Sequence, residues 1–215
     1  MPLRVKICCI SSIREAEIAV AHGASAVGLV GRMPGGPGPI PDERIYEIAR
    51  TVPPGVSTFL LTSETDPESV IRHHRATRTD IIQLVDRLQP DSYQVLREAL
   101  PAIRLVQVVH VLNEQSVTEA LAAAEHADAI LLDSGNPDLA VKQLGGTGRT
   151  HNWDLSREIR ERVPVPVYLA GGLHPGNVKD AVQRVRPFGI DLCSGLRTNG
   201  NLDENKVENL FKQMD

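Results

Sequence analysis

The sequence lacks several features that would point to particular classes of protein. Aromatic residues make up only 3% of the 215 residues, and the three cysteines cannot all pair within one chain. Cys8 and Cys9 are adjacent, which is not the spacing of a disulfide framework. No apolar run approaches the roughly 18–20 residues that a membrane-spanning helix needs.

An excess of positive charge is also absent. The net charge is −4, which disfavours binding to nucleic acid or to an anionic membrane. The first residues, MPLRVKICCI, lack the basic segment, long apolar stretch and small-residue cleavage site of a signal peptide. We therefore expect a cytoplasmic protein with no nucleic-acid or membrane partner.

What remains is the composition of a globular chain. Hydrophobic residues make up 41% and charged residues 23%, which is near the average for folded domains. A chain of 215 residues can build one sizeable core. The Pro- and Gly-rich segment MPGGPGPIP at 33–41 is too short to separate two domains. We expect a single domain over residues 1–215.

Two kinds of segment alternate along the chain. Short apolar segments typical of strands lie at 5–10, 25–30, 57–62, 80–86, 104–111, 128–134, 165–172 and 189–195. Helix-type segments lie at 12–23, 42–52, 66–76, 92–100, 114–127, 155–163, 175–185 and 203–214. Because parallel strands need crossover connections, this alternation predicts a parallel sheet. Eight units of about 27 residues each favour an α/β fold, the (β/α)8 TIM barrel.

A doubly wound open sheet is the alternative fold. Such a sheet would place its Gly-rich phosphate loop after the first strand. This chain reads CCISS there, and its Gly-rich turns follow the sixth, seventh and eighth strands instead. The barrel is therefore the favoured prediction.

Two Gly-containing turns predict an anion site. LAGGLHPGNV at 169–178 places Gly171 and Gly172 after the seventh strand, and CSGL places Ser194 and Gly195 after the eighth. Backbone N–H groups in such turns can approach an anion closely, and barrels commonly bind phosphate after these two strands. Alternatively, the glycines only allow tight turns. Together the two turns favour a small phosphorylated ligand.

Two side chains at strand ends are candidates for acid–base chemistry. Asp133 ends the sixth strand in AILLDSG, and Cys8 ends the first, on the same face as Lys6. A thiolate can act as a general base if nearby positive charge, such as that of Lys6, lowers its pKa. Alternatively, Asp133 only forms a turn and Cys8 is an inert small apolar residue. We expect Cys9 to point to the opposite face, toward the helices.

The sequence gives little sign of a metal site. It contains no CxxC or HExxH motif. His73 and His74 lie in a charged helical segment, where we expect solvated surface, and His110 ends the fifth strand, where it either reaches the rim or packs. We expect neither a metal nor a cofactor.

Five separated segments resemble one family, the phosphoribosylanthranilate isomerases of tryptophan biosynthesis. These segments are KIC at 6–8, ILLD at 130–133, GGTGRTHNWDL at 145–155, AGGLHPGNV at 170–178 and DLCSGL at 191–196. The resemblance covers the whole chain in the same order. It implies a (β/α)8 barrel that converts an aminoaldose phosphate to an aminoketose phosphate by an Amadori rearrangement, without metal or organic cofactor.

The resemblance also implies a role for individual residues. Asp133 would be the general acid and Cys8 the general base, and the pKa of Asp133 would have to be raised for the first role. The phosphate would lie on Gly171–Gly172 and Ser194–Gly195. The GGTG loop, with Gly146 and Gly148, would cover the sugar.

The chain departs from the family pattern on the amine side of the substrate. The usual KICGI has Cys9 in place of glycine, and QLHG has become QLVD with Asp86. MPGGPGPIP stands where family members carry a Ser-Pro-Arg that holds the anthranilate carboxylate, and Arg197 replaces a glutamate. Arg32 or Arg197 would then bind the carboxylate.

Three functions are consistent with these departures. One is the isomerisation of phosphoribosylanthranilate, and another is the same chemistry on a different N-(5′-phosphoribosyl) amine. The last is a phosphate-binding barrel without catalysis, which the presence of both Cys8 and Asp133 disfavours. The sequence leaves open the roles of Asp86 and His110 and the choice between a monomer and a homodimer.

Overall fold

A computed structural model describes residues 3–136, 148 and 150–214. The main strands are β1 (Arg4–Ile7), β2 (Ala26–Val30), β3 (Ser57–Thr62), β4 (Ile81–Leu84), β5 (Arg104–His110), β6 (Ala129–Asp133), β7 (Val167–Leu169) and β8 (Gly189–Leu192). The helices are α1 (Ile13–Ala21), α2 (Asp42–Ala49), α3 (Pro67–Thr77), α4 (Pro90–Ala99), α5 (Gln115–Ala124), α6 (Trp153–Arg162), α7 (Val178–Val185) and α8 (Glu204–Met214).

The eight strands form a closed parallel barrel in chain order. The barrel closes where β1 pairs with β8, with Ile7 opposite Leu192. The predicted (β/α)8 barrel is therefore confirmed. Because all strands run in one direction, their carboxyl ends meet at one mouth.

Side chains of each strand alternate between two apolar layers. In β5, Leu105 and Val109 pack in the larger core that includes the helices, whereas Val106 and Val108 pack in the smaller core inside the barrel. This period of two follows from the pleat of a strand. It also places Lys6 and Cys8 on the same side of β1.

Side-chain caps set the start of several helices. Asn152 accepts hydrogen bonds from the N–H groups of Asp154 and Leu155, so α6 begins at Trp153, two residues before the predicted start at 155. Asp66 caps α3 in the same way, and Pro67 occupies the first turn. Both caps satisfy N–H groups that have no partner within the helix.

A small hairpin between β8 and α8 was not predicted. A short 3₁₀ turn (Ser194–Leu196) leads into β9 (Arg197–Thr198), which pairs with β10 (Asn201–Leu202). Asn199 and Gly200 connect them with φ values of 52° and 82°. Asn-Gly is the typical signal of a two-residue hairpin turn, so the sequence contained the information.

None of the described helices is long and apolar enough to cross a membrane. This finding agrees with the hydropathy of the sequence.

Candidate active site

A cavity opens at the carboxyl ends of the strands. It brings together residues from β2, β3, β4, β6 and β8 and from the segments that follow β1 and β7, although these are far apart in the sequence. The predicted site residues that line it are Cys8, Asp133, Gly148, Gly171, Gly172 and Ser194.

The floor of the cavity is a buried charged cluster. Lys6 is fully buried, and its Nζ lies 2.7 Å from Oδ2 of Asp191. The same amine lies 5.2 Å from the ring centre of Phe59. Burial alone would lower the pKa of Lys6, but the charge and hydrogen bond of Asp191, together with contributions from Cys8 and Cys9, outweigh burial and the pKa is raised. Lys6 therefore keeps its proton and its positive charge inside the barrel.

A glycine on β2 makes room for this cluster. A Cβ atom at Gly28 would lie 2.8 Å from Sγ of Cys8 and 3.0 Å from Nζ of Lys6. Real Cβ atoms do not approach other atoms so closely, so the two side chains share a space that only glycine leaves open.

Asp133 has the environment of a general acid. Its side chain is 7% exposed, and burial raises its pKa to about 6. The N–H of Ser134, which donates to Oδ1 of Asp133 at 2.8 Å, and the charge of Lys6 oppose this shift without reversing it. A carboxyl with this pKa is protonated in about one molecule in ten at pH 7, roughly a hundred times more often than an ordinary aspartate.

Asp191 is a site residue that the sequence prediction missed. It lines the cavity, and its Oδ1 atom is buried without a hydrogen-bond partner among the described residues. A buried oxygen of this kind is an acceptor for a donor on a ligand. The available signal was the apolar pattern of GIDL, with one carboxylate in an otherwise buried strand.

Cys8 lies at the mouth, directly after β1. Its N–H donates to the oxygen of Leu192 at 2.8 Å, which continues the pairing of β1 with β8. The side chain is 5% exposed and lines the cavity. Cys8 thus lines the cavity and has the amine of Lys6 close by, since a Cβ at Gly28 would lie within 3.0 Å of both side chains.

The prediction that Cys9 faces the helices is wrong. Cys9 lines the cavity, because β1 ends at Ile7 and the backbone of Cys9 turns to a φ of 61°. The strict alternation of a strand therefore does not extend to this residue. Hydrogen bonding to the sulfur of Cys193, followed by that to Cys8 and by burial, raises the pKa of the Cys9 thiol.

The two Gly-containing turns pack against each other. Gly171 and Gly172 have φ values of 80° and 64°, a left-handed backbone that favours glycine and can form a concave anion site. A Cβ at Gly195 would lie 2.1 Å from the oxygen of Leu173, so Gly195 lets the second turn approach the first. Asn177 Nδ2 donates to the oxygen of Gly172 at 3.0 Å and holds the first turn.

The structure does not bring Arg197 into the cavity. Its Nη1 lies 3.0 Å from Oε1 of Glu15, and both side chains are 9% exposed. The guanidinium also donates to the oxygens of Cys8 and Cys9. These contacts fix the chain where it leaves β1, and they occupy the group that was predicted to bind a substrate carboxylate.

Arg32 lies outside the lining of the cavity as well. Arg32 is exposed, and its backbone oxygen accepts a hydrogen bond from the hydroxyl of Ser63 at 3.0 Å. Its neighbour Met33 does line the cavity, together with Val30, Leu61 and Val85. Gly146 lies outside the described residues.

The two remaining polar residues near the mouth take different positions. Asp86 is 8% exposed, and its Oδ1 accepts from the N–H of Arg87 at 2.9 Å. His110 is 5% exposed and lines a second cavity between α4 and α5 instead of the first.

The expectation that His73 and His74 form solvated surface is wrong. His74 is buried, with Nε2 2.9 Å from the oxygen of Thr79. His73 lies between Asp42, 3.2 Å from its Nε2, and Thr62, 3.0 Å from its Nδ1. Both face the barrel side of α3, because the charged residues of this helix occupy its other face.

These features define a class of protein, the (β/α)8-barrel enzymes with an active site at the carboxyl ends of the strands. Residues 5–213 match the family described as N-(5′-phosphoribosyl)anthranilate (PRA) isomerase. The chain therefore belongs to this family.

Individual relatives support the same assignment. N-(5′-phosphoribosyl)anthranilate isomerase 2 of Methanosarcina mazei is 36% identical over 209 residues, which cover 96% of this chain and 92% of the relative. The corresponding protein of Halobacterium salinarum is 37% identical over 196 residues, 90% of this chain and 86% of its own.

Solved structures of the family have the same fold. Phosphoribosyl anthranilate isomerase from Thermotoga maritima superposes with a TM-score of 0.84 at 30% identity, covering 99% of this chain and 98% of that one. A phosphoribosyl anthranilate isomerase in complex with reduced 1-(o-carboxyphenylamino)-1-deoxyribulose 5-phosphate gives 0.82 at 29% identity, with the same coverage.

Proposed function

We propose that this protein isomerises N-(5′-phosphoribosyl)anthranilate to the corresponding 1-amino-1-deoxyribulose phosphate. The observation that carries the proposal is a buried Asp133, with its pKa raised to about 6, in one cavity with Cys8. An acid and a base that face the same cavity are what an Amadori rearrangement requires. Their juxtaposition also disfavours a barrel that only binds phosphate.

Asp133 acts in the first step. Its carboxyl donates a proton to the ring oxygen of the ribose, the C1′–O bond breaks, and the nitrogen lone pair forms the C=N bond of an iminium ion. Asp133 is then a carboxylate. The positive charge of Lys6, which already opposes the raised pKa of Asp133, stabilises this carboxylate.

Cys8 acts in the second step. Its thiolate removes the proton from C2′, and the electron pair of that bond neutralises the iminium to give an enolamine. Loss of the proton from the C2′ hydroxyl and protonation at C1′ then give the ketone. Net transfer of the Cys8 proton to the Asp133 carboxylate through solvent restores both groups, so no electrons or atoms are gained or lost.

The remaining site residues bind and orient the substrate. Gly171, Gly172, Ser194 and Gly195 hold the phosphate with backbone N–H groups, and Gly148, which lines the cavity, contacts the sugar. Lys6 positions the carboxylate of Asp191 through their 2.7 Å contact. The unpartnered Oδ1 of Asp191 accepts a hydrogen bond from the amine N–H of the substrate.

A second candidate substrate is another N-(5′-phosphoribosyl) amine. Its support is the amine end of the cavity, where Val30, Met33, Leu61 and Val85 supply apolar contacts and Arg197 is bound to Glu15. If the substrate is phosphoribosylanthranilate instead, its carboxylate needs a cationic partner in these apolar surroundings. Arg32 is our candidate for that partner.

We further infer the setting in which the enzyme works. The three cysteines are free thiols, which is the usual state in the cytoplasm. We infer a cytoplasmic enzyme, one barrel domain over residues 1–215, which acts as a monomer or homodimer without metal or cofactor. The phosphoribosylanthranilate isomerase of Thermotoga maritima is described as dimeric.

The test follows the loss of anthranilate fluorescence with freshly generated phosphoribosylanthranilate. We expect kcat/KM above about 10⁴ M⁻¹s⁻¹ for the wild type and a loss of about 10²-fold or more in kcat for both Cys8→Ser and Asp133→Asn. Thr118→Leu, an exposed change on α5, is the control. A folded wild type that is inactive here but active on the phosphoribosyl adduct of aniline would favour the second candidate.

A further inference from the structure

The three cysteines of the chain lie together, at the carboxyl end of the seam where β1 pairs with β8 and closes the barrel. Ile7 is paired with Leu192, so Cys8, Cys9 and Cys193 directly follow the last paired residues. All three line the candidate active-site cavity and belong to, or pack against, the inner apolar core. The proposed isomerase chemistry uses Cys8 and leaves Cys9 and Cys193 without a role.

Cys9 and Cys193 are in contact although they come from opposite ends of the chain. The Cys9 thiol donates a hydrogen bond to the sulfur of Cys193. Adjacent strands lie about 4.8 Å apart, and a disulfide joins residues whose Cα atoms are about 4.4–6.8 Å apart. The left-handed backbone of Cys9, with a φ of 61°, turns its side chain toward the cavity. The seam therefore places two thiols at the separation that a disulfide requires.

Other contacts keep the sulfur of Cys9 where it is. It lies 3.7 Å from the backbone oxygen of Pro37, and a Cβ at Gly38 would lie 3.1 Å from it, so the loop after β2 packs directly against this side chain. On the other side, Arg197 donates to the backbone oxygen of Cys9 and is held in turn by Glu15. Cys9 is therefore fixed beside Cys193 from two directions.

The two thiols differ in exposure and in ease of ionisation. Cys193 is half-buried, whereas Cys9 is 5% exposed. The hydrogen bond from Cys9 and the positive charge of Arg197 lower the pKa of Cys193, against the effect of burial. The same hydrogen bond is the main cause of the raised pKa of Cys9. An accessible thiol that ionises readily, next to a second thiol, is the typical arrangement of an oxidation-sensitive pair.

We propose that Cys9 and Cys193 form an oxidation site, at which a peroxide converts the two thiols to a disulfide that ties the first strand of the barrel to the last. The Cys193 thiolate attacks one oxygen of hydrogen peroxide, the O–O bond breaks, and hydroxide leaves. Cys9 loses its proton to solvent and attacks the sulfur of the resulting sulfenic acid, from which a second hydroxide leaves. With the protons returned from solvent, two thiols and one hydrogen peroxide give one disulfide and two waters.

The first experiment locates the cross-link. The full chain is treated with hydrogen peroxide, the remaining thiols are blocked, and tryptic peptides are analysed by mass spectrometry. Cys8 and Cys9 fall in one peptide, residues 7–14, and Cys193 falls in residues 185–197. We expect the two peptides to be joined in the wild type and in Cys8→Ser, and to be separate in Cys9→Ser. A joined pair in Cys9→Ser would make Cys8 the partner and overturn the proposal, as would a wild type without the cross-link.

The second experiment needs no variant and asks whether the fold assembles the pair. It compares the rate of cross-linking by hydrogen peroxide in the folded protein and in the same protein unfolded in urea. We expect the folded protein to react at least about tenfold faster, because the fold brings the sulfurs together and favours the Cys193 thiolate. An equal or faster reaction in urea would contradict the proposal.

The third experiment measures the effect of the cross-link on the barrel. A disulfide that closes a loop of nearly the whole chain restricts the unfolded state strongly. We therefore expect the urea midpoint of the oxidised wild type to rise by at least about 1 M and to return after dithiothreitol. Peroxide should not raise the midpoint of the control Cys193→Ser. A cross-linked wild type with an unchanged or lower midpoint would mean that the seam does not fit a disulfide and would refute the proposal. None of these outcomes depends on the isomerase activity.

Discussion

The floor and the amine-side wall of the active-site cavity are built in different ways. Lys6 and Asp191 on the floor come from neighbouring strands and are held by a 2.7 Å contact. Met33 and Pro37 in the wall come from a Pro- and Gly-rich loop. Strand pairing fixes the first set in depth and orientation, whereas a loop can change its sequence without changing the barrel. The acid–base groups and the residues that contact the substrate amine therefore belong to separable parts of the molecule.

Breaking the buried ion pair between Arg197 and Glu15 should have the largest effect on stability. Arg197→Met leaves Glu15 buried without its partner, and we expect a loss of about 3–5 kcal/mol in the free energy of unfolding. KM should change by less than about threefold in the folded fraction, because Arg197 lies outside the cavity. Chemical denaturation and steady-state kinetics at low temperature measure both.

Glu15→Gln is the matched control for this prediction, since it breaks the same ion pair by changing the other partner. Its effect on stability should be similar. A tenfold rise in KM for Arg197→Met alone, with unchanged stability, would restore Arg197 as the carboxylate-binding residue.

Removing the charge of Asp133 should separate activity from stability. The folded-state pKa of about 6 exceeds the ordinary value of 3.8, so the folded wild type binds the proton more tightly and loses stability as the pH rises from about 4 to 6. Asp133→Asn avoids this loss, and we expect it to be more stable by up to about 3 kcal/mol at pH 8. At pH 4 the two proteins should be nearly equal. Thermal unfolding across this range measures the difference, and a less stable variant at pH 8 would contradict the assignment.

Filling the space between Lys6 and Cys8 should disturb the floor. Gly28→Ala places a Cβ 2.8 Å from the Cys8 sulfur, and we expect a loss of about 1–3 kcal/mol in stability, together with a lower kcat. Gly176→Ala, in an exposed loop where the new Cβ meets only the ring of His174 at 3.2 Å, is the control. Equal kinetics in the two variants would show that the position of Cys8 does not matter for turnover.

Changing Arg32, the exposed residue next to the wall, should have the smallest effect. Arg32→Met removes an exposed positive charge, and exposed ion pairs contribute at most about 1 kcal/mol. We therefore expect KM for phosphoribosylanthranilate to rise by no more than about fivefold, with kcat unchanged. Arg44→Met, another exposed arginine, should leave KM unaltered, and the same rise in both would remove Arg32 from the site.

Local patterns predicted the elements well but not the direction of every side chain. The Lys6–Cys8 face followed from the period of a strand, and it holds in the structure because β1 continues to Ile7. Cys9 lies two residues beyond the strand end, where φ is 61°, so the same rule gave the wrong face. A pattern of apolar residues cannot show where a strand stops being pleated.

By itself, the sequence determined the (β/α)8 barrel, the position of the Gly-containing turns and the motifs of the isomerase family. These follow from periodicity, turn chemistry and residue spacing, which act over a few residues. Only the tertiary structure decided that Arg197 pairs with Glu15, that Asp191 faces the cavity and that α4 and α5 leave a second cavity. Each of these depends on groups that are far apart in the chain and meet only when the barrel closes.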